Sequence, residues 1–361
     1  MTKKIVTIIG ARPQFVKASA VSRLIEVNPK LTEVMVHTGQ HYDQNMSQIF
    51  FDELEMNKPA YNLEIGSGLH GAQTARMLTD IESVLLKEKP DMVLVYGDTN
   101  STLAGALSAS KLHIPVAHVE AGLRSFNRKM PEEINRIVAD QLSDYLFTPT
   151  ETASNNLKNE GYSSKRVHQV GDVMYDATLY YSEKAEKHNR LLEKLGVQGG
   201  SYLLATIHRA ENTDDKERLD NIFEGLIKLS NILPIIMPLH PRTTKVLRDG
   251  KLYEKVEKCI QFIPPVGFLD MLLLEKNAKL IVTDSGGVQK EAYFQSIPCV
   301  TLRDETEWTE LVKLGWNKLV SPTSPEIIEN EVISFLDARG ESSAQPYGGG
   351  NAAEKIVETL L

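Results

Sequence analysis

Apolar residues along the chain fall into short continuous runs rather than alternating ones. Ile5–Ile9, Val34–His37, Met92–Tyr96, Val116–Val119 and Tyr145–Phe147 form one set; Leu203–Ile207, Pro234–Met237, Gln261–Ile263, Leu280–Val282 and Val300–Leu302 form a second. Each run closes near a polar residue or glycine, and a stretch of helical periodicity follows. Runs without a polar face predict strands buried on both sides, hence parallel sheets covered by helices. Two such sets in series predict an α/β chain of two Rossmann-like, doubly wound domains. The break falls after Gly171-Asp172, where Glu183–Leu195 is highly charged, helical and free of core strands. We expect an N-terminal domain of residues 1–171 joined by 346–361, and a C-terminal domain of residues 172–345. Arg339–Gly350, rich in glycine, serine and proline, precedes a last helix, Asn351–Leu361, too short to stand alone.

Composition narrows the function. The 361 residues are 42% hydrophobic and 24% charged, ordinary for globular cores. A net charge of −8 argues against general binding to nucleic acid or anionic membranes, though not against a local basic pocket. The opening Met1–Gly10 has two lysines and an apolar run too short for a secretory signal, so it reads as a first core strand. No stretch approaches the ~20 apolar residues of a membrane span. Cys259 and Cys299, both in apolar surroundings, read as small core residues of a reduced, cytoplasmic protein.

In open parallel sheets ligands sit beyond the carboxyl ends of the strands, so the run ends carry the chemistry. Gly10-Ala-Arg12-Pro13-Gln14-Phe15-Val16-Lys17 is a strand-to-helix turn with two cations where backbone N–H groups already favour anions. It suits a phosphate, with a solvated surface pair as the plain alternative. Asp284-Ser285-Gly286-Gly287 reads as a second diphosphate cradle: glycines admit a close ligand, Ser285 donates a hydroxyl, and Glu291 can accept from two ribose hydroxyls. His208-Arg209, His240-Pro-Arg242 and Arg303 end further runs. Each histidine is either a core group or, beside its arginine, part of a phosphate-neutralising set.

The carboxylates say most. Asp98 and Glu120 end neighbouring runs, and Glu132 opens a helix with Glu133 and Arg136, after a loop holding Arg124, Arg128 and Lys129. Singly they are turn residues or helix-dipole partners; together they resemble acid–base equipment. No metal site is expected, because no histidine pair or acidic triplet has ligand spacing. Gly66-Ser-Gly68-Leu-His-Gly71 spells GxGxxG but follows a short, half-polar stretch rather than the first strand. It reads as a loop with a helix starting at Ala72, and bound NAD is not expected.

With Gly10-Ala-Arg-Pro through Lys17, Gly97-Asp98-Thr99, His118-Val-Glu120-Ala-Gly-Leu-Arg124, Pro131-Glu-Glu-Ile-Asn-Arg136, Thr283-Asp-Ser-Gly-Gly-Val-Gln289 and Pro346-Tyr-Gly in this order, the chain resembles the non-hydrolysing UDP-N-acetylglucosamine 2-epimerases almost end to end. The resemblance implies a glycosyltransferase-B type fold with a cleft between its domains, the last helix crossing back to the first. It implies a cytoplasmic homodimer without metal or nicotinamide cofactor. It also implies that UDP-N-acetylglucosamine and UDP-N-acetylmannosamine interconvert by elimination of UDP to a 2-acetamidoglucal and re-addition, the cleft closing on the UDP-sugar. Asp98, Glu120 and Glu132 would then be acids and bases, with His208 in the catalytic set. Arg12, Lys17 and Arg136 would bind diphosphate or hold the intermediate, and Ser285, Gly286 and Glu291 would hold UDP. Arg209, His240, Arg242, Gly287 and Arg303 are further substrate-binding candidates.

The chain departs from the common pattern in places. It has Ala11 and Gln14 where Gly-Thr-Arg-Pro-Glu is usual, a shorter loop between Glu120 and Pro131, and Asp304-Glu-Thr-Glu307-Trp308-Thr-Glu310 after Arg303. These resemble a branch acting on UDP-2,3-diacetamido-2,3-dideoxyglucuronate, whose carboxylate would want Arg128 or Lys129. The activator-binding Gln-His-Arg-Glu of some relatives is Gln40-His41-Tyr42-Asp43 here, which speaks against allosteric activation by substrate. A glycosyltransferase using the same UDP-sugar is the rival enzyme reading.

Overall fold

The computed structural model describes residues 2–40, 51–187, 190–250, 252–341 and 343–361. Two parallel sheets organise them. The first holds β1 (Lys3–Ile9), β2 (Leu31–His37), β3 (Tyr61–Asn62), β4 (Met92–Tyr96), β5 (Val116–Val119), β6 (Tyr145–Thr148) and β7 (Val167–Gln169), in the order β3-β2-β1-β4-β5-β6-β7. The second holds β8 (Leu203–Thr206), β9 (Ile235–Pro238), β10 (Gln261–Ile263), β11 (Leu280–Thr283), β12 (Cys299–Thr301) and β13 (Asn317–Leu319), in the order β10-β9-β8-β11-β12-β13. The central strands have no solvent face: Ile5, Val6, Ile8 and Ile9 in β1 and Leu280, Ile281 and Val282 in β11 are all fully enclosed. Burying each such side chain contributes about 1.5–3 kcal/mol, which selects parallel strands with helices on both faces over any one-sided arrangement.

Three strands, β3, β7 and β13, lie outside the predicted runs. All are edge strands of two or three residues. An edge strand satisfies its backbone on one side only and needs little apolar surface, so Tyr61-Asn62 or Val167-His-Gln169 leaves almost no pattern. The charged stretch Glu183–Leu195 is two helical pieces, and the first, Val173–Glu186, starts well before the charges do. Val173, Ala177 and Tyr181 form its buried face.

The chain divides into two compact units, Met1–Ala177 with Gln345–Leu361, and Thr178–Ala344. The division falls inside the helix Val173–Glu186. Asp176 stays with the first unit because its Oδ2 accepts from the Ala353 amide at 2.7 Å, capping the last helix, Ala352–Leu360. That helix buries Ala352, Ala353, Ile356, Val357 and Leu360 beside the helix Arg12–Glu26, and Lys3 Nζ donates to the Leu360 carbonyl at 2.9 Å. The expectation of two core cysteines holds for one: Cys299 is buried, which pushes its thiol up to about 12, whereas Cys259 is exposed. It sits in a turn, where its amide donates to the Val256 carbonyl. Among the described residues, no helix is long and apolar enough to cross a membrane.

Candidate active site

Each sheet changes its direction of winding once, between β1 and β4 and between β8 and β11. The crevice beyond the strand ends at such a point is where α/β sheets bind ligands. In the first sheet β1 ends at Gly10. Gln14 locks this turn, its Oε1 accepting from the amides of Gly10 (2.8 Å) and Ala11 (3.0 Å) while Nε2 donates to the Tyr96 carbonyl (2.7 Å). Pro13 has no N–H, so little backbone remains for an anion at this helix start. The side chains of Arg12 and Lys17 are left to supply the positive charge.

β4 and β5 end in Asp98 and Glu120. Glu120 adopts φ +76°, a left-handed conformation that costs a non-glycine residue about 1–3 kcal/mol and recurs where function requires it. At that turn Lys17 Nζ donates to Glu120 Oε2, both side chains being largely enclosed. Gly97, at φ +62°, makes room for the pair: a Cβ there would stand 3.2 Å from Glu120 Oε2 and 3.4 Å from Lys17 Nζ. Arg136, from the helix Pro131–Leu142, donates to Asp98 Oδ2 and pairs with Glu133. Burial raises the Asp98 carboxyl above its ordinary value. Arg136 opposes the rise, Glu120 adds to it, and Lys17 and Glu132 act in the same field. The structure thus gathers Asp98, Glu120, Glu132, Lys17 and Arg136 in one place, with Glu132 exposed on the first helical turn.

Supporting this cluster is a set of groups that sequence reasoning missed. His118 is fully buried between Asp140 Oδ1 and the Gly97 carbonyl, each 2.7 Å from a ring nitrogen, so it braces the turn that carries Asp98. Burial alone would raise Asp140; His118 and Arg124 outweigh it and hold the carboxyl below its usual range. Asn135 Nδ2 donates to the Asp98 carbonyl at 2.9 Å. His118 and Asn135 stand inside quoted motifs, and that was their signal; Asp140, in mid-helix, had none. Arg124 of the cationic loop and Glu133 of the helix after it hold the loop in place. Arg124 is bound to Asp140 (2.7 Å) and Glu160 (2.7 and 2.8 Å) with its side chain 1% exposed, a structural role. Glu133 accepts from the amides of Ser125 (2.9 Å) and Phe126 (3.0 Å) and shapes the loop, leaving Arg128 and Lys129 exposed. Asn100 and Asn135 also line a groove of ≈ 510 Å³ with His70, Leu78, Leu103 and Ile134. Its walls hold none of the three carboxylates, so it is not the chemical centre.

In the second unit the organiser is Asp284, fully buried after β11. Its carboxylate accepts from the amides of His208 (3.0 Å) and Arg209 (3.0 Å) and from Asn212 Nδ2 (3.1 Å), fixing the loop after β8 beside the Ser285-Gly286 turn. His208 and His240 lie with ring centroids 5.5 Å apart; burial, then His208, lowers the His240 imidazole below its ordinary value. Glu307 holds the arginines nearby, with Arg303 at 2.8 Å and Arg209 at 3.7 Å. A Cβ on Gly286 would collide with its Oε1, so this carboxylate rests over the N-terminus of the helix Gly286–Phe294. Burial raises Glu307, yet its own amide and the two arginines bring it below the ordinary value. Arg242 is turned outward to Asp214 (2.7 and 2.8 Å). Ser285 is the N-cap of this helix, Gly287 is exposed, and Glu291 follows on the same helix. The GxGxxG segment follows the edge strand β3 and leads into a helix that begins at His70, two residues before the expected Ala72. Of the activator-like segment, His41, Tyr42 and Asp43 lie outside the described residues.

Comparison with known proteins gives a consistent result. A family model described as UDP-N-acetylglucosamine 2-epimerase matches residues 23–361. The chain is 57% identical to a UDP-N-acetylglucosamine 2-epimerase homolog of Methanococcus maripaludis, over 99% of both chains. It is 54% identical, over the same shares, to the UDP-2,3-diacetamido-2,3-dideoxy-D-glucuronate 2-epimerase of Pseudomonas aeruginosa. The crystal structure of the Methanocaldococcus jannaschii UDP-GlcNAc 2-epimerase in complex with UDP-GlcNAc and UDP aligns with a TM-score of 0.85 at 49% identity, covering 100% of this chain and 99% of that one.

Proposed function

The chain belongs to the UDP-N-acetylglucosamine 2-epimerase family, and on that premise we propose that it interconverts UDP-N-acetylglucosamine and UDP-N-acetylmannosamine without hydrolysis. The observation that carries this reading is the gathering of Asp98, Glu120 and Glu132 around Lys17 and Arg136 at the first sheet's switch point. The proton at C2 of the sugar is not next to a carbonyl, so direct removal is slow; expulsion of UDP from C1 as C2 loses its proton gives a 2-acetamidoglucal instead. In this reading one carboxylate takes the C2 proton and another returns one to the opposite face, after which UDP re-adds at C1. A carboxyl raised by burial, as Asp98 is, holds a proton more readily than a solvated one, which suits it to acid–base work. Arg12, Lys17, Arg136 and His208 would stabilise the departing diphosphate's charge. Arg209, His240, Arg242, Ser285, Gly286, Gly287 and Arg303 would hold the nucleotide, with Glu291 on its ribose. Glu307, over the helix start, would yield that place to a phosphate. The substrate is a UDP-sugar, and no metal or nicotinamide enters the reaction. We place the enzyme in the cytoplasm, as a homodimer that feeds polysaccharide biosynthesis.

A second substrate is supported by the 54% identity to a diacetamido-glucuronate 2-epimerase, which stands between the 57% to the M. maripaludis UDP-N-acetylglucosamine 2-epimerase homolog and the 49% to the M. jannaschii enzyme. The exposed Arg128 and Lys129 would serve the uronate's carboxylate. Incubation of each UDP-sugar alone in D₂O tests both readings. Deuterium entering C2 without free sugar or acceptor supports epimerisation, and the faster substrate identifies the sugar. Free N-acetylmannosamine would mean a hydrolysing enzyme, and no exchange with either sugar would point to a transferase.

A further inference from the structure

The second unit encloses an acid that its proposed chemistry does not use. Glu275 stands on the helix Phe268–Lys276, fully buried, with no cation beside it among the described residues. Its Oε2 accepts from Gln295 Nε2 at 3.2 Å, and Gln295 Oε1 in turn accepts from Ser182 Oγ at 3.2 Å. Among the described residues, no donor serves its Oε1. The side chain of Glu291, one turn before the C-cap Gln295 of the neighbouring helix, also interacts with Glu275, so both residues reach it from one helical face. An apolar residue of this size would fill the space without an orphaned acceptor, and an unpaired buried carboxylate is costly. Two carboxyl groups in contact inside a protein cannot both ionise. Burial and Glu291 together push the Glu275 carboxyl well above its ordinary value.

We propose that Glu275 is a positioning residue: as a neutral acid it donates its O–H to one oxygen of Glu291 and aims the remaining lone pairs at the two ribose hydroxyls of the nucleotide. This rests on the reading of Glu291 as the ribose ligand. A hydrogen bond between neutral acid and carboxylate orients its acceptor better than a flexible surface side chain can, since the partner is itself held by Gln295 and Ser182. A Gln at 275 preserves the geometry, because its Nε2 donates to Glu291 while its Oε1 accepts from Gln295. A Met does not.

The test is calorimetric titration of the full-length protein with UDP and with 2′-deoxy-UDP, melting being followed in parallel. The wild-type protein should prefer UDP by about tenfold, the size of one hydrogen bond to a charged group. Glu291→Gln should abolish the preference. Glu275→Met should cut it at least fivefold with 2′-deoxy-UDP affinity unchanged, which a merely structural role would not produce; Glu275→Gln should keep it within twofold. If Glu291→Gln loses the preference while Glu275→Met retains it, the positioning role is wrong and the ribose ligand stands. If Glu291→Gln retains it, the ribose reading itself fails. Should neither Glu275→Met nor Glu275→Leu fold, loss of the preference in Glu275→Gln overturns the inference.

Discussion

Both units place cations beyond the strand ends at a switch point, but they pair those cations differently. In the first, Lys17 and Arg136 are each 12% exposed and bound to Glu120 and Asp98, partners 11% and 35% exposed. In the second, Arg242 and Arg209 meet Asp214 and Glu307, partners 62% and 44% exposed. Exposed pairs are worth about 0–1 kcal/mol and exchange readily, so a phosphate displaces the acid at little cost. Enclosed pairs are costly to break and fix both geometry and protonation. The first arrangement suits groups that must hold a proton, and the second suits groups that must seize and release an anion.

Asp98→Asn is the severest trial of that contrast. It should lower kcat by about 10²–10⁴-fold with KM changed only a few-fold, as for loss of a positioned acid or base. Steady-state turnover against a UDP-sugar measures it, and an unchanged kcat would erase the chemical role of the first unit. Next in size is a pH effect. Burial holds Asp98 above its ordinary value and Arg136 is the main opposing influence, so removing that charge in Arg136→Met lifts the carboxyl further. The carboxylate is then protonated at higher pH as acid is added, and the acidic limb of the kcat profile should move to higher pH. A limb that stays in place would mean Asp98 is not the group observed. The smallest effect is expected at Arg242→Ala, which breaks an exposed pair and should raise KM by less than about threefold. A tenfold rise would show that this outward arginine grips the diphosphate as firmly as the enclosed ones.

The strand runs exposed most of the architecture in the sequence, because a strand enclosed on both faces must be apolar throughout. β3, β7 and β13 escaped because an edge of two or three residues has no such constraint. At the site, most of the proposed acid–base and cationic groups follow strand ends and could be read there. The groups that hold them, His118, Asp140 and Asp284, work through backbone amides, carbonyls and one another, and only three dimensions show which amides those are. Gln14 is the clearest instance: it looked like a departure from a common turn, yet it is the residue that ties Gly10, Ala11 and Tyr96 together. Arg124 is the converse, a cation in the right loop committed to Asp140 and Glu160.

The last helix, Ala352–Leu360, belongs to the unit that the ribosome makes first, where Asp176 caps it and the helix Arg12–Glu26 covers it. Nascent chain therefore emerges with the first sheet already complete but one flank of its opening helix bare until the entire second unit has been synthesised. Any early folding of that sheet leaves an apolar strip waiting for its cover, so the first unit is completed only by a segment made after the second.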